Sequence, residues 1–184
     1  EHLVFDGQQH LAMAALPGMR ERTLIISSGG KTFNTTGWKV GWLCGPARLV
    51  QSARTAKQFL TYVSSGPFQP AIAVGLGLPD EFFAGVAADL QAKRDRLMPG
   101  LLEAGFEVFH TSGTYFVTAD IRPLQPDGDG MAFCRALPHR CGVVAIPNEV
   151  LYQNKAAGRH LVRFAFCKQL HVLDEAVQRL KTLH

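Results

Sequence analysis

The sequence predicts an α/β protein, and three of its features carry that expectation. Short runs rich in β-branched and aromatic residues alternate with segments whose apolar positions recur at helical spacing. Hydrophobic residues make up 47% of the 184 and charged residues 18%, the balance of a chain that buries a core. No internal repeat or low-complexity stretch interrupts the alternation.

Taken in order, Arg22 to Ser27 is a short β-branched run that predicts a buried strand. Ser27-Ser28-Gly29-Gly30 has the composition of a loop and leads directly into Lys31. From Pro46 onward, Leu49, Val50, Ala53, Ala56, Phe59 and Leu60 mark a helix. Pro67 breaks that pattern, and the apolar segment that starts at Pro70 predicts a second, buried helix. Phe82 to Ala104 is the clearest helix. It places Phe83, Val86, Leu90, Leu97 and Leu101 near one face, opposite Lys93, Arg94 and Arg96, with Gly105 as the capping residue. Phe106–Phe109 and Thr114–Ile121 predict strands around a Ser112-Gly113 turn, and Pro123 to Gly130 a loop. Met131–Leu137 predicts a short helix, Val143–Ile146 and Leu161–Cys167 strands, and Val172–Leu183 a closing helix with Leu173, Ala176, Val177 and Leu180 inward. The elements after Gly105 would form a smaller α+β unit.

The charge balance, 19 basic against 15 acidic residues for a net +4, is mild and spread along the chain. It lacks the concentrated basic stripe that a nucleic acid or membrane-surface partner requires, so neither is expected. Cys44, Cys134, Cys141 and Cys167 have no metal-ligand spacing, and no metal site is expected. Reduced cysteines, the lack of an eighteen-residue apolar stretch and the lack of a signal pattern together predict a cytoplasmic protein. The chain opens on Glu-His-Leu-Val-Phe-Asp-Gly without a methionine, which reads as the interior of something longer.

Gly30-Lys31-Thr32 raises the question of a phosphate-binding P-loop. That motif needs a second glycine five residues before Gly30, where Ile25 stands, so the backbone could not wrap a triphosphate. The longer stretch Ser27-Ser-Gly-Gly-Lys-Thr-Phe-Asn-Thr-Thr-Gly-Trp-Lys-Val-Gly-Trp resembles the cofactor-lysine signature of fold type I aminotransferases dependent on pyridoxal 5'-phosphate (PLP). It is most similar to the subgroup of kynurenine, glutamine/methionine and N-succinyldiaminopimelate aminotransferases. The resemblance implies that Lys31 holds PLP as a Schiff base and later moves a proton at the substrate α-carbon, roles that suit a deprotonated lysine amine. It also implies that Ser28 and Lys39 bind the cofactor phosphate. On spacing alone Lys39 could equally be a solvated surface lysine.

Arg163 lies inside an otherwise apolar run, Leu161-Val-Arg-Phe-Ala-Phe. A guanidinium there needs a partner, and the residues alone leave two readings, a structural ion pair or an anion clamp. The resemblance favours the clamp, because the family's matching arginine grips the substrate α-carboxylate, a task for a planar fork. Tyr62 matches a position from which relatives send an aromatic across a homodimer, and a packing role at a helix end is the alternative. Tyr115 reads as structural, and His110, His139 and His160 receive no role.

The resemblance covers nearly the whole chain but only about the latter half of such an enzyme. It implies that residues 1–77 close the large PLP-binding domain and that 78–184 form the small carboxy-terminal domain. The family's other cofactor contacts lie upstream, including the acid paired with the pyridine nitrogen, so this polypeptide alone is expected to bind PLP poorly and not to transaminate. The expected activity of the parent is transfer of an amino group from an amino acid to a 2-oxo acid. A cysteine-conjugate β-lyase on the same scaffold and an inactive truncated relative are the alternatives.

Overall fold

The structure, a computed structural model, describes residues 1–183. The chain separates into two compact units, Glu1–Val86 and the part from Ala87 onward, and the division falls inside the longest helix.

The first unit contains β1 (Ile25–Ser28), α1 (Gly29–Thr32), β2 (Gly41–Cys44), α2 (Ala47–Leu60), α3 (Phe68–Leu76) and the opening turns of α4 (Asp80–Glu103). β1 and β2 pair antiparallel from Ile25↔Cys44 to Ser28↔Gly41. The strands meet so closely at this end that a Cβ on Gly41 would stand 2.7 Å from the Ser27 carbonyl oxygen. α2 and α3 form where the apolar spacing expects helices, but α3 is not the buried helix expected. α2 has no buried residue, and in α3 only Ile72 is buried. β1 is likewise not the buried strand its composition suggests, since Ile25 and Ile26 are 40% and 76% exposed. β-branched composition selects the extended backbone, whereas burial depends on what packs on the strand.

The second unit holds the rest of α4, then β3 (Glu107–Val108), β4 (Phe116–Asp120), α5 (Gly130–Cys141), β5 (Ile146–Pro147), α6 (Lys155–Gly158), β6 (Leu161–Ala165) and α7 (Leu170–Leu180). Its sheet has the order β3-β4-β6-β5 and is antiparallel throughout. Side chains alternate across it: Val117, Ala119, Val162 and Phe164 are buried, whereas Phe116, Thr118 and Arg163 are only half-buried on the opposite face. The buried face joins a core of Leu97, Leu101, Phe106, Phe133, Leu137, Leu173 and Leu180. Phe106 meets Phe133 and Phe164 edge-on at 5.9 and 5.4 Å, an arrangement that brings the ring edges onto the neighbouring faces.

Helix ends follow local chemistry. α4 ends with Gly105 at φ 88°, the Phe106 N–H bonded to the Leu101 carbonyl and the Gly105 N–H to the Leu102 carbonyl, which satisfies two terminal acceptors. Asp129 caps α5 by accepting the Ala132 N–H at 2.9 Å. α5 runs to Cys141, beyond the expected Leu137, because Pro138 is accommodated within it and Gly142 at φ 72° provides the stop. Arg94, expected on the polar face of α4, is instead 3% exposed. It pairs with Asp95 and donates to the Thr111 carbonyl at 2.7 Å, which makes its burial tolerable.

Asp120 is a buried acid of this unit, receiving three hydrogen bonds from the Arg122 guanidinium, with His160 3.7 Å away. Burial pushes its pKa up, but the Arg122 hydrogen bonds and the His160 charge more than offset this, and the folded value lies below the ordinary one. That lower value means the group stabilises the fold above the unfolded-state pKa of about 3.9, and loses this contribution as pH falls through the folded value. Asp120→Asn is therefore expected to lower stability at neutral pH and to flatten the acid limb of the stability profile, read from urea unfolding at a series of pH values. In the same assay Leu101→Ala, at a fully buried site, is expected to cost about 2–5 kcal/mol at every pH.

Candidate active site

The lysine segment of the first unit is built on a change from strand to helix within one residue. Ser28 ends β1 with extended backbone angles, φ −148° and ψ 137°, and its Oγ accepts the Gly30 N–H at 3.1 Å, which caps α1. Lys31 sits in that single helical turn with its side chain exposed. The expected loop at Ser27–Gly30 is thus the end of β1 and the start of α1. Gly29 is buried, and a Cβ there would lie 2.6 Å from Ile72 Cδ1 on α3, so a side chain at this position would make Ile72 shift.

The following segment folds back onto this turn. The Gly29 N–H donates to the Val40 carbonyl at 3.1 Å. The Thr35 and Thr36 hydroxyls donate to the Gly29 and Gly30 carbonyls at 3.2 and 3.1 Å. A 3-10 turn, Thr36–Trp38, then delivers Lys39, which has the left-handed angles φ 55° and ψ 41°. Trp38 stacks on Phe68 with centroids 4.7 Å apart, and its carbonyl accepts the Ser65 hydroxyl. The structure therefore brings Ser28, Lys31 and Lys39 into one hydrogen-bonded segment. Among the described residues Lys39 pairs with no acid, and the Ser28 hydroxyl donates to no group. Ser27 Oγ donates to the Glu1 carboxylate at 2.8 Å, a contact the sequence did not suggest.

Tyr62 follows α2 at φ 56° and is 75% exposed, within the run Phe59, Leu60, Tyr62 and Val63, all more than half exposed. It packs against no ring among the described residues.

Arg163 is in the second unit, at the centre of β6, with Thr118 of β4 and Ile146 of β5 directly across from it. Its guanidinium carbon stands 4.7 Å from the centroid of the Phe116 ring. Among the described residues it has no carboxylate partner, and the nearby acid on β4, Asp120, is taken up by Arg122 and His160. Beside it Asn148, 7% exposed, lies with Nδ2 3.5 Å from Thr118 Oγ1, and its Oδ1 has no partner among the described residues. Sequence reasoning singled out Arg163 but not Phe116, Thr118 or Asn148, because cross-strand register is not written in local pattern. Among the described residues no group of three or more His, Cys, Asp or Glu could hold a metal ion, and no single helix is long and apolar enough to cross a membrane.

The sequence profile described as "Aminotransferase class I and II" matches residues 1–180. The chain is 51% identical to the probable N-succinyldiaminopimelate aminotransferase DapC of Mycobacterium tuberculosis, over 100% of this chain and 48% of that protein. It is 35% identical to the kynurenine–oxoglutarate transaminase of Dictyostelium discoideum, over 100% of this chain and 46% of the relative. Among solved structures it superposes on the N-succinyldiaminopimelate aminotransferase of M. tuberculosis with a TM-score of 0.94 at 52% identity, covering 100% of this chain and 48% of that one. Escherichia coli YbdL, described with a methionine aminotransferase function, gives 0.89 at 35% identity, with 98% and 47% covered. The chain spans about half the length of the curated relatives it matches. With a profile match across nearly its whole length and the PLP-dependent fold type I architecture in its structural neighbours, the chain belongs to the class I and II aminotransferase family.

Proposed function

We propose that this chain carries the cofactor lysine and the substrate-carboxylate arginine of an aminotransferase that moves an amino group from an amino acid to a 2-oxo acid. The observation that carries the reading is the segment in which the Ser28 cap, Lys31 and the turn bearing Lys39 are tied together by backbone and threonine hydrogen bonds. PLP is the cofactor of this family, and the residues present fit it. Because Ser28 Oγ receives the Gly30 N–H through a lone pair, its own proton remains to donate to a phosphate oxygen, and Lys39 supplies an uncommitted positive charge. Lys31 Nζ would hold the cofactor covalently. The same amine, when free, would carry the proton removed from the substrate α-carbon. Bound PLP supplies the electron sink for the charge left on that carbon.

Arg163 would receive the substrate α-carboxylate. Its guanidinium is held over Phe116 and lacks an internal acid, so its in-plane N–H groups are available to an incoming carboxylate in the bidentate manner. On this reading residues 1–77 complete the large domain, residues 78–184 form the small one, and Tyr62 reaches across a homodimer into a neighbouring site. The exposed run at Phe59–Val63 supports such an interface, since contiguous apolar surface marks association. We infer a cytoplasmic enzyme. Likeness to relatives named for N-succinyldiaminopimelate and kynurenine supports one of these, or a glutamine or methionine donor, with 2-oxoglutarate as acceptor.

Lys31→Ala in the complete protein is expected to remove the visible absorbance that appears on addition of PLP and to abolish transamination; an unchanged spectrum would refute the role of Lys31. Arg163→Ala is expected to raise the KM for the amino donor roughly 10- to 100-fold, with Arg163→Lys restoring little of it. A donor panel with product analysis checks this. A new amino acid plus a 2-oxo acid is the expected outcome, and pyruvate with ammonia would indicate elimination instead.

A further inference from the structure

We propose that Thr36 is a positioning residue that sets Lys31 in register with the phosphate-binding pair Ser28 and Lys39. The inference rests on reading Lys31 as the cofactor lysine and goes beyond it by naming what fixes the distance between the two ends of the cofactor site.

The need for such a device follows from the backbone. α1 is four residues long, far too short to be stable by itself, and two of the four are glycines, the residues with most freedom to lose. Gly29 cannot be replaced by a stiffer residue without collision with Ile72. Gly30 is nearly as confined, since its Cβ would lie 3.2 Å from Thr36 Cα and 3.3 Å from Ser28 Oγ. The loop must therefore be flexible in composition yet rigid in place. Two threonine hydroxyls meet that requirement by holding the carbonyls immediately before the lysine. The Gly29 carbonyl also accepts the Phe33 N–H, so Thr35 there is backed by a second donor.

Thr36 differs because it does two things at once. Its hydroxyl grips the Gly30 carbonyl, and its backbone opens the turn that ends at Lys39. Lys39 holds a left-handed conformation that a non-glycine residue keeps only when its surroundings over-determine it. Thr36 at one end of the turn and the Trp38–Phe68 stack at the other supply that restraint. One hydroxyl thus links the peptide that carries the amine to the turn that carries the Lys39 ammonium.

The test compares PLP with pyridoxal, which has the aldehyde but no phosphate, by absorbance titration of the complete apoprotein. The wild type is expected to prefer PLP strongly. Thr36→Val removes the hydroxyl at nearly constant volume and is expected to shrink that preference by about fivefold to tenfold, a loss typical of one hydrogen bond. Thr36→Ser is expected to restore it, and Thr36→Ala carries the same test should the valine variant fail to fold. An unchanged PLP-to-pyridoxal ratio in the valine or alanine variant, or a serine variant as impaired as either, overturns the proposal. Lys31→Ala run in parallel separates the two levels. If it leaves the absorbance intact, the cofactor-lysine reading has failed and this inference falls with it. If only the Thr36 result is negative, the lysine assignment stands.

Discussion

The bond from the Gly30 N–H to Ser28 Oγ is the interaction on which the lysine segment depends. A strand that ends in a helical turn within one residue leaves backbone donors without partners, and a serine at the junction satisfies one of them. The same side chain stays anchored to the sheet, because Ser28 is paired with Gly41 across β1 and β2. Gly41 must be glycine for those strands to approach, Gly29 lets Ile72 of α3 pack directly on the turn, and Lys31 is placed by both contacts. The placement of Lys31 thus rests on backbone geometry more than on its own side chain.

The two units answer the problem of burial differently. From Ala87 onward, residues from α4, α5, α7 and a four-stranded sheet converge on a core with many side chains wholly withdrawn from solvent. The first unit has Phe5 and Ile72 as its buried large hydrophobics among the described residues, while Leu11, Ile26, Phe59, Leu60 and Val74 are all more than 70% exposed. The excess of uncovered apolar surface is consistent with a chain that spans about half of its relatives' length.

Much of the architecture was legible in sequence because helical periodicity is local. α2, α4, α5 and α7 lie within a few residues of where Leu49 to Leu60, Phe83 to Leu101, Met131 to Leu137 and Leu173 to Leu180 place them. β2 was not foreseen, since Gly41-Trp-Leu-Cys is four residues opened by a glycine and becomes a strand only by pairing with β1. Arg94 was read as exposed because its partner carbonyl, at Thr111, lies beyond the end of its helix. Lys31, Ser28 and Lys39 could be singled out as candidates because they share one continuous motif. The surroundings of Arg163 could not, since Phe116, Thr118 and Asn148 reach it only through the order β4-β6-β5.

The stacking of Arg163 on Phe116 has a consequence for how a ligand is received. A free arginine explores many rotamers, and immobilising it on binding costs up to about 2 kcal/mol of side-chain entropy. A guanidinium already resting on an aromatic face has lost part of that freedom before any carboxylate arrives, and one of its faces is already shielded from water. What the ring contributes is therefore readiness. On the proposed reading of Arg163 as a carboxylate clamp, less would have to be reorganised when an anion arrives, so more of the attraction between opposite charges would remain as affinity.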